Sequence, residues 1–241
     1  MMVKHCAYES PFKMVDGDGK EYLLTVEQDE YAEDPRYWDN LCMMVCWHSH
    51  YRLGDKHSFD NMDEFMQHLY LDVTSKHWCD DHESDDWQDV YKALKETNLI
   101  LIKQINLYDH SGITVSTSNG YPYNDRWDAG CVGFIYVTKK TLFKECVDIT
   151  EENWKERGDE YLEGEMETYD QYLRGETYRY TLEEKVHYRN ETTCPHCGEV
   201  IKVDEYDTYE EVDSCCGFYG DCLEENGILD YLVNLKFVEE E

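Results

Sequence analysis

Basic residues are few in this chain beside its acidic ones. Only 22 lysines and arginines stand against 54 aspartates and glutamates, a formal net charge of -32 over 241 residues. Nucleic-acid affinity comes largely from Lys and Arg displacing condensed counterions, so the balance argues against direct nucleic-acid binding. With only 4 prolines and 14 glycines and no low-complexity linker, no sharp domain boundary shows. No run of about 18 apolar residues exists to span a bilayer, and Met1-Met2-Val3-Lys4-His5-Cys6 lacks the apolar stretch of a signal peptide. A cytoplasmic, membrane-free protein is expected. Also missing are H-E-x-x-H, G-x-S-x-G, a Walker loop and a G-x-G-x-x-G after a strand, and with them the usual marks of several enzyme classes.

What is present supports a core, since 41% of residues are hydrophobic and 14% aromatic, enough for one large domain or two small ones. The 11 cysteines are odd in number and scattered, which reads as reduced thiols, some on a metal, rather than a secreted disulfide framework.

The turn Asp16-Gly17-Asp18-Gly19 before an alternating 22–26 predicts an opening hairpin. Helical spacing predicts helices over 60–71 and from Ser84, as N-cap, to Asn98. Strands are expected at 99–107, 112–117 and 131–137, then a short helix at 139–146. A helix capped by Thr150 should bury Trp154, Tyr161, Leu162, Tyr169 and Leu173, with Gly158 and Gly164 fraying or breaking it. A strand over 177–188, a hairpin around 194–203, a strand over 206–212 and a closing helix over 222–232 complete the chain. The sum is an α+β fold with a mostly antiparallel sheet and flanking helices. Its expected division is a main domain over 1–190 and a zinc-knuckle-like hairpin with a closing strand and helix over 191–241.

Two groups of residues could carry chemistry. Cys194-Pro195-His196-Cys197-Gly198 has the form of a zinc knuckle, in which Pro and Gly bend the backbone so that both thiolates face one metal. Cys215 and Cys216 are adjacent and would point to opposite faces of a strand. The favoured second pair is therefore Cys216 and Cys222, closing a structural zinc site of four thiolates. The second group is His48 and His50, which at i, i+2 share one side of a strand, with His57 and Asp109-His110. These are expected near one another at strand ends, mainly as a hydrogen-bonded structural network. An enzyme of unknown reaction, using His48, His57, Asp109 and His110 around a loop at Asp128, is the alternative.

Trp38-Asp39-Asn40-Leu41, Met44-Val45-Cys46-Trp47-His48 and Tyr51-Arg52-Leu53-Gly54-Asp55-Lys56-His57 resemble the N-terminal signature of an uncharacterised family encoded by phages, plasmids and integrative elements of Firmicutes. Leu107-Tyr108-Asp109-His110-Ser111-Gly112-Ile113 and 127–137 resemble its central motifs. Glu167-Thr168-Tyr169-Asp170-Gln171-Tyr172-Leu173-Arg174-Gly175 and Asp213-Ser214-Cys215-Cys216-Gly217-Phe218-Tyr219-Gly220 resemble its C-terminal ones. The chain departs from the family at Ala129 and Cys131, where Ser and Gln are usual, and at Cys216, where Trp is usual. The resemblance implies a mobile-element setting and supplies no reaction.

Charge pattern then suggests a role. Glu152, Glu156, Glu160, Glu163 and Glu167 recur at i+3 or i+4 and would share one helix face. Asp204, Glu205, Asp207, Glu210, Glu211 and Asp213 form a second cluster with no Lys or Arg between them. Like charges this close are tolerated where a basic partner neutralises them. Spread over the roughly 11,000 Å² expected of a compact chain of this mass, the net charge is about threefold more dilute than on duplex DNA, so mimicry would need local concentration. The expected function is a mobile-element inhibitor that binds a host nucleic-acid-handling defence enzyme, such as a restriction or CRISPR nuclease, and occupies its basic channel. A zinc-stabilised interaction adapter is the third reading.

Overall fold

The computed structural model describes residues 4–109, 112–117 and 129–238. In chain order its elements are β1 (Phe12–Val15), β2 (Glu21–Gln28), β3 (Met43–Cys46), α1 (Met62–Thr74), α2 (Trp87–Glu96), β4 (Ile100–Asp109), β5 (Ile113–Ser116), β6 (Ala129–Thr138), α3 (Lys139–Glu145), α4 (Trp154–Leu173), β7 (Thr177–Thr193), β8 (Val200–Tyr219), α5 (Ile228–Tyr231) and β9 (Lys236–Phe237). The strands form two antiparallel sheets, ordered β8-β7-β2-β1-β9 and β3-β6-β4-β5. The protein is α+β. None of the described helices is long and apolar enough to cross a membrane.

Two compact units divide the chain, one built from Met1–Glu33 with Gly175–Glu241 and the other from Asp34–Arg174. The division therefore does not fall at residue 190, which lies inside β7. The second unit is an insertion between two strands that pair directly, β2 and β7, in register from Tyr22↔Glu184 to Gln28↔Tyr178. Asp29 and Thr177 close the insertion point: the Asp29 amide donates to the Thr177 carbonyl at 2.8 Å and the Thr177 hydroxyl to the Asp29 carbonyl at 3.0 Å.

In the inserted unit, side-chain alternation sends the sheet's two faces to different helices. Val45, Ile100, Ile102 and Phe134 pack with Phe65, Met66 and Leu69 of α1 and Val90 and Leu94 of α2. Met44, Ile105, Leu107, Ile135 and Val137 pack with Trp154, Leu162, Met166 and Tyr169 of α4. α4 runs unbroken through both glycines. Gly158 is buried in the inner stripe, where a Cβ would lie 2.6 Å from Leu101 Cδ1 and 2.8 Å from Leu142 Cδ1, so it marks close helix–sheet approach rather than a break. α2 begins two residues later than expected: Asp86 caps it, accepting from the Gln88 amide at 2.8 Å, while Ser84 donates to Asp89. β3 ends at Cys46, so His48 and His50 lie in the following loop and not on a strand.

In the other unit, Met14, Leu24, Val26, Tyr180, Leu182 and Phe218 form the core with Leu223, Ile228 and Leu232. The closing helix shrinks to the single turn of α5, since Gly227 before it takes a left-handed conformation at φ +90, which interrupts a helix running on from Cys222. β7 and β8 are continuous from Thr177↔Tyr219 to Thr193↔Val200, although β2 covers β7 only from Tyr178 to Glu184. The remainder is a two-stranded arm with exposed residues on both faces. It helps explain a total surface of 15857 Å², well above the roughly 11,000 Å² of a compact chain of this mass.

Candidate partner-binding surfaces, thiols and histidine loop

α4 sorts its residues by angle. At 3.6 residues per turn, Glu156, Glu160, Glu163 and Glu167 fall within a sector of about 60°, opposite the stripe of Trp154, Gly158, Leu162, Met166 and Tyr169. All four are exposed, as is Glu152 in the turn before the helix. From Glu156 to Glu167 the rise is about 16 Å, one carboxylate per ~5.5 Å, against one phosphate per ~3.4 Å along a single DNA strand. Two of the five are engaged: Glu160 pairs with Arg157, and Glu163 with Lys103 at 2.6 Å and with the Thr117 hydroxyl at 2.7 Å. Among the described residues Glu152, Glu156 and Glu167 have no basic partner.

The second acidic cluster is arranged otherwise. Strand alternation and register place Glu205, Asp207 and Glu211 on one face of the arm and Asp204 and Glu210 on the other,. β7 brings basic side chains across from them. Arg189 reaches Glu205 at 3.4 Å. Asp207 receives His187 at 2.8 Å and Lys185 at 3.6 Å; the His187 hydrogen bond, ahead of the Lys185 charge, holds its carboxyl below the usual range. Lys202 pairs with Asp204 at 2.7 Å. Hydroxyls engage others: Tyr188 donates to Glu210, Ser214 to Glu211 at 2.9 Å and Tyr180 to Asp213 at 2.7 Å. Glu183 faces Glu211 and Glu184 faces Glu210 across the strands, an opposition of like charges that costs stability. The set is thus split and largely satisfied locally, while the α4 line is neither.

The four cysteines expected on one zinc do not come together. Cys194 and Cys197 occupy the turn at the arm's apex, where the Gly198 amide donates to the Cys194 carbonyl at 2.9 Å and the Cys194 amide to the Glu199 carbonyl at 2.7 Å. Cys216 lies opposite Arg179 near the arm's base, ~45 Å down the ribbon at about 3.3 Å per residue. Cys222 is beyond that, its backbone paired with that of Cys6 in an isolated antiparallel β-bridge. The physical reason is continuity: the expected short hairpin is the end of a long ribbon, so residues close in sequence to its base stay far from its tip. Among the described residues no group of three or more His, Cys, Asp or Glu side chains is arranged to hold a metal. At the apex the backbone amides of Cys197 and His196, with the Cys197 thiol, hold the Cys194 thiol below its usual pKa. All 11 cysteines are free thiols.

Part of the histidine group does assemble. The Tyr51 hydroxyl donates to Asp109 at 3.1 Å, which raises the tyrosine's pKa, and the His48 ring stacks on Tyr51 with centroids 4.9 Å apart. His48 Nδ1 accepts the amides of His50 at 3.3 Å and Tyr51 at 3.2 Å, so that nitrogen holds the loop. His57 is engaged separately: its Nε2 donates to the Cys46 carbonyl at 2.8 Å, leaving a buried Nδ1 without a partner. Both histidines line a cavity of about 540 Å³. His110 and Asp128 lie outside the described residues.

The sequence reading missed a buried charge, Arg36, whose side chain is 3% exposed. Its Nε and Nη2 grip Asp55 at 2.9 Å each, Nη1 reaches Glu165 at 2.9 Å and Nη2 the Cys42 carbonyl at 2.8 Å. Burial opposes its charge, and the hydrogen bonds and charges of Asp55 and Glu165 outweigh that, raising its pKa. Glu165 also accepts the amides of Leu41 and Cys42, and Asp55 that of Met44 at 2.8 Å. Gly54, at φ +68, lets the loop lie against β3, since a Cβ there would be 2.6 Å from the Met44 carbonyl oxygen,. The Leu53-Gly54-Asp55-Lys56-His57 motif thus serves the fold: Leu53 is buried, Asp55 holds Arg36 and His57 ties down β3. One signal was legible, because Glu165 falls on the apolar side of α4, out of phase with the exposed glutamates. No family model, curated protein or solved structure matches this chain.

Proposed function

We propose that this chain is an acidic inhibitor encoded by a mobile element, which binds a host nucleic-acid-handling defence enzyme of the restriction or CRISPR type through its basic channel. The observation that carries the proposal is the exposed line of Glu152, Glu156, Glu160, Glu163 and Glu167 opposite α4's buried stripe, with three of the five lacking a basic partner among the described residues. The resemblance to phage and plasmid proteins supplies the class of target. Net charge alone would not suffice, because -32 over 15857 Å² is far more dilute than the phosphates of a duplex. The carboxylates of β8 play a lesser part here, since β7 and local hydroxyls already engage them.

The test is protection of DNA from cleavage by the host's defence nucleases, with the parent and with Glu152→Lys, Glu156→Lys and Glu167→Lys combined. The parent should inhibit, and its association rate should fall steeply between low and physiological salt, where the Debye length shortens to about 8 Å. The triple variant should fold normally, associate more slowly and inhibit less. Equal on-rates for parent and triple variant at both salt concentrations would reject the proposal.

A further inference from the structure

We propose that the apex of the β7–β8 arm binds one zinc ion shared between two copies of this chain, with Cys194 and Cys197 of each copy supplying its four thiolates. The inference is independent of the inhibitor reading. A structural zinc takes four ligands in a tetrahedron with sulfurs about 2.3 Å from the metal. The apex turn supplies two in the spacing that suits it, Cys194-Pro195-His196-Cys197-Gly198, with Gly198 at φ +77 bending the chain behind them. The chain's own candidates for the other pair, Cys216 and Cys222, are far away at the base of the arm. Among the described residues no third donor joins the two cysteines in a metal-holding group.

A half-site at the tip of a projecting arm is geometrically open to its own copy. β7 extends from Lys185 to Thr193 beyond its pairing with β2, ~30 Å of ribbon that carries the apex away from the sheet of its own unit. Apolar residues are exposed beside the cysteines: Val200 at 49%, Ile201 at 65% and Val203 at 43%. A twofold-related apex would cover this patch with the same patch. Two hairpin tips bury far less than the roughly 800 Å² per partner of a self-sufficient interface, so the dimer should depend on the metal. Its consequence is bivalency, two bodies tethered at the ends of two arms, which raises avidity for any paired or repeated target.

The experiment uses the full-length, tag-free chain under reducing conditions, with mass measured by light scattering and zinc by elemental analysis. The expected result is a dimer carrying one zinc per two chains, which EDTA converts to a monomer and added zinc restores. Cys194→Ser and Cys197→Ser should each be monomeric with an unchanged circular dichroism spectrum, and Ile201→Asp should weaken the dimer while keeping both thiols. Cobalt in place of zinc should give the strong thiolate charge-transfer absorption of a four-sulfur site. A monomer with one zinc per chain, a protein that takes up no zinc, or a dimer that survives EDTA or Cys194→Ser would each overturn the proposal.

Discussion

Replacing the two glycines of α4 by alanine, one at a time, tests the geometry that displays the glutamates. Both substitutions gain the same local term, about 1 kcal/mol of helix propensity, so any difference between them reports surroundings. At Gly164 nothing lies within 4 Å of an added Cβ, and Gly164→Ala should stabilise the protein by the full ~1 kcal/mol. At Gly158 the Cβ would sit 2.6 Å from Leu101 Cδ1 and 2.8 Å from Leu142 Cδ1, about 1 Å inside normal carbon–carbon contact. Overpacking of that kind costs roughly 1 to 3 kcal/mol, so Gly158→Ala should end between neutral and about 2 kcal/mol destabilising. Urea unfolding followed by far-UV circular dichroism measures both, and a thermal scan should separate the variants by several degrees, at roughly 2 to 4 °C per kcal/mol. If Gly158→Ala stabilised as much as Gly164→Ala, the close approach of α4 to the sheet would be refuted. If Gly164→Ala destabilised, the exposed, continuous helix would be.

Three further outcomes are expected. Arg36→Met should cost about 3 to 5 kcal/mol in denaturant unfolding, because it leaves Asp55 and Glu165 without their shared cation. In EDTA-treated, zinc-free protein Cys194 should be alkylated by iodoacetamide at neutral pH well before Cys42 and Cys46 in a mass-spectrometric time course; burial raises both of those thiols, Cys46 to about 12, whereas apex amides lower Cys194,. His187→Ala should raise the Asp207 pKa in an NMR titration. The parent's carboxyl is depressed in the folded state, so the stability it contributes is present above the unfolded carboxylate pKa of about 3.9 and is lost as pH falls through the folded value.

Much of the local structure follows from residue order alone. The spacing of Trp154, Leu162 and Tyr169 defines an inner face on α4, and that leaves Glu156, Glu160, Glu163 and Glu167 in solvent whatever the rest of the chain does. The hairpin at Asp16-Gly17-Asp18-Gly19 and the strands around Ile102, Val115 and Phe134 are legible for the same reason, since period and turn chemistry are local. Tertiary structure decided what depends on partners distant in sequence. The pairing of β2 with β7 makes residues 34–174 an insertion, which no composition shift announces. The register of β7 against β8 places Lys185, His187 and Arg189 across from carboxylates that look unopposed along their own strand. The same register carries Cys194 and Cys197 to one end of the ribbon and Cys216 to the other. Arg36, Asp55 and Glu165 become one ion-paired group around a buried guanidinium only when three separate segments meet. A buried charge needs all its partners at once, so its role could be read only from the folded chain.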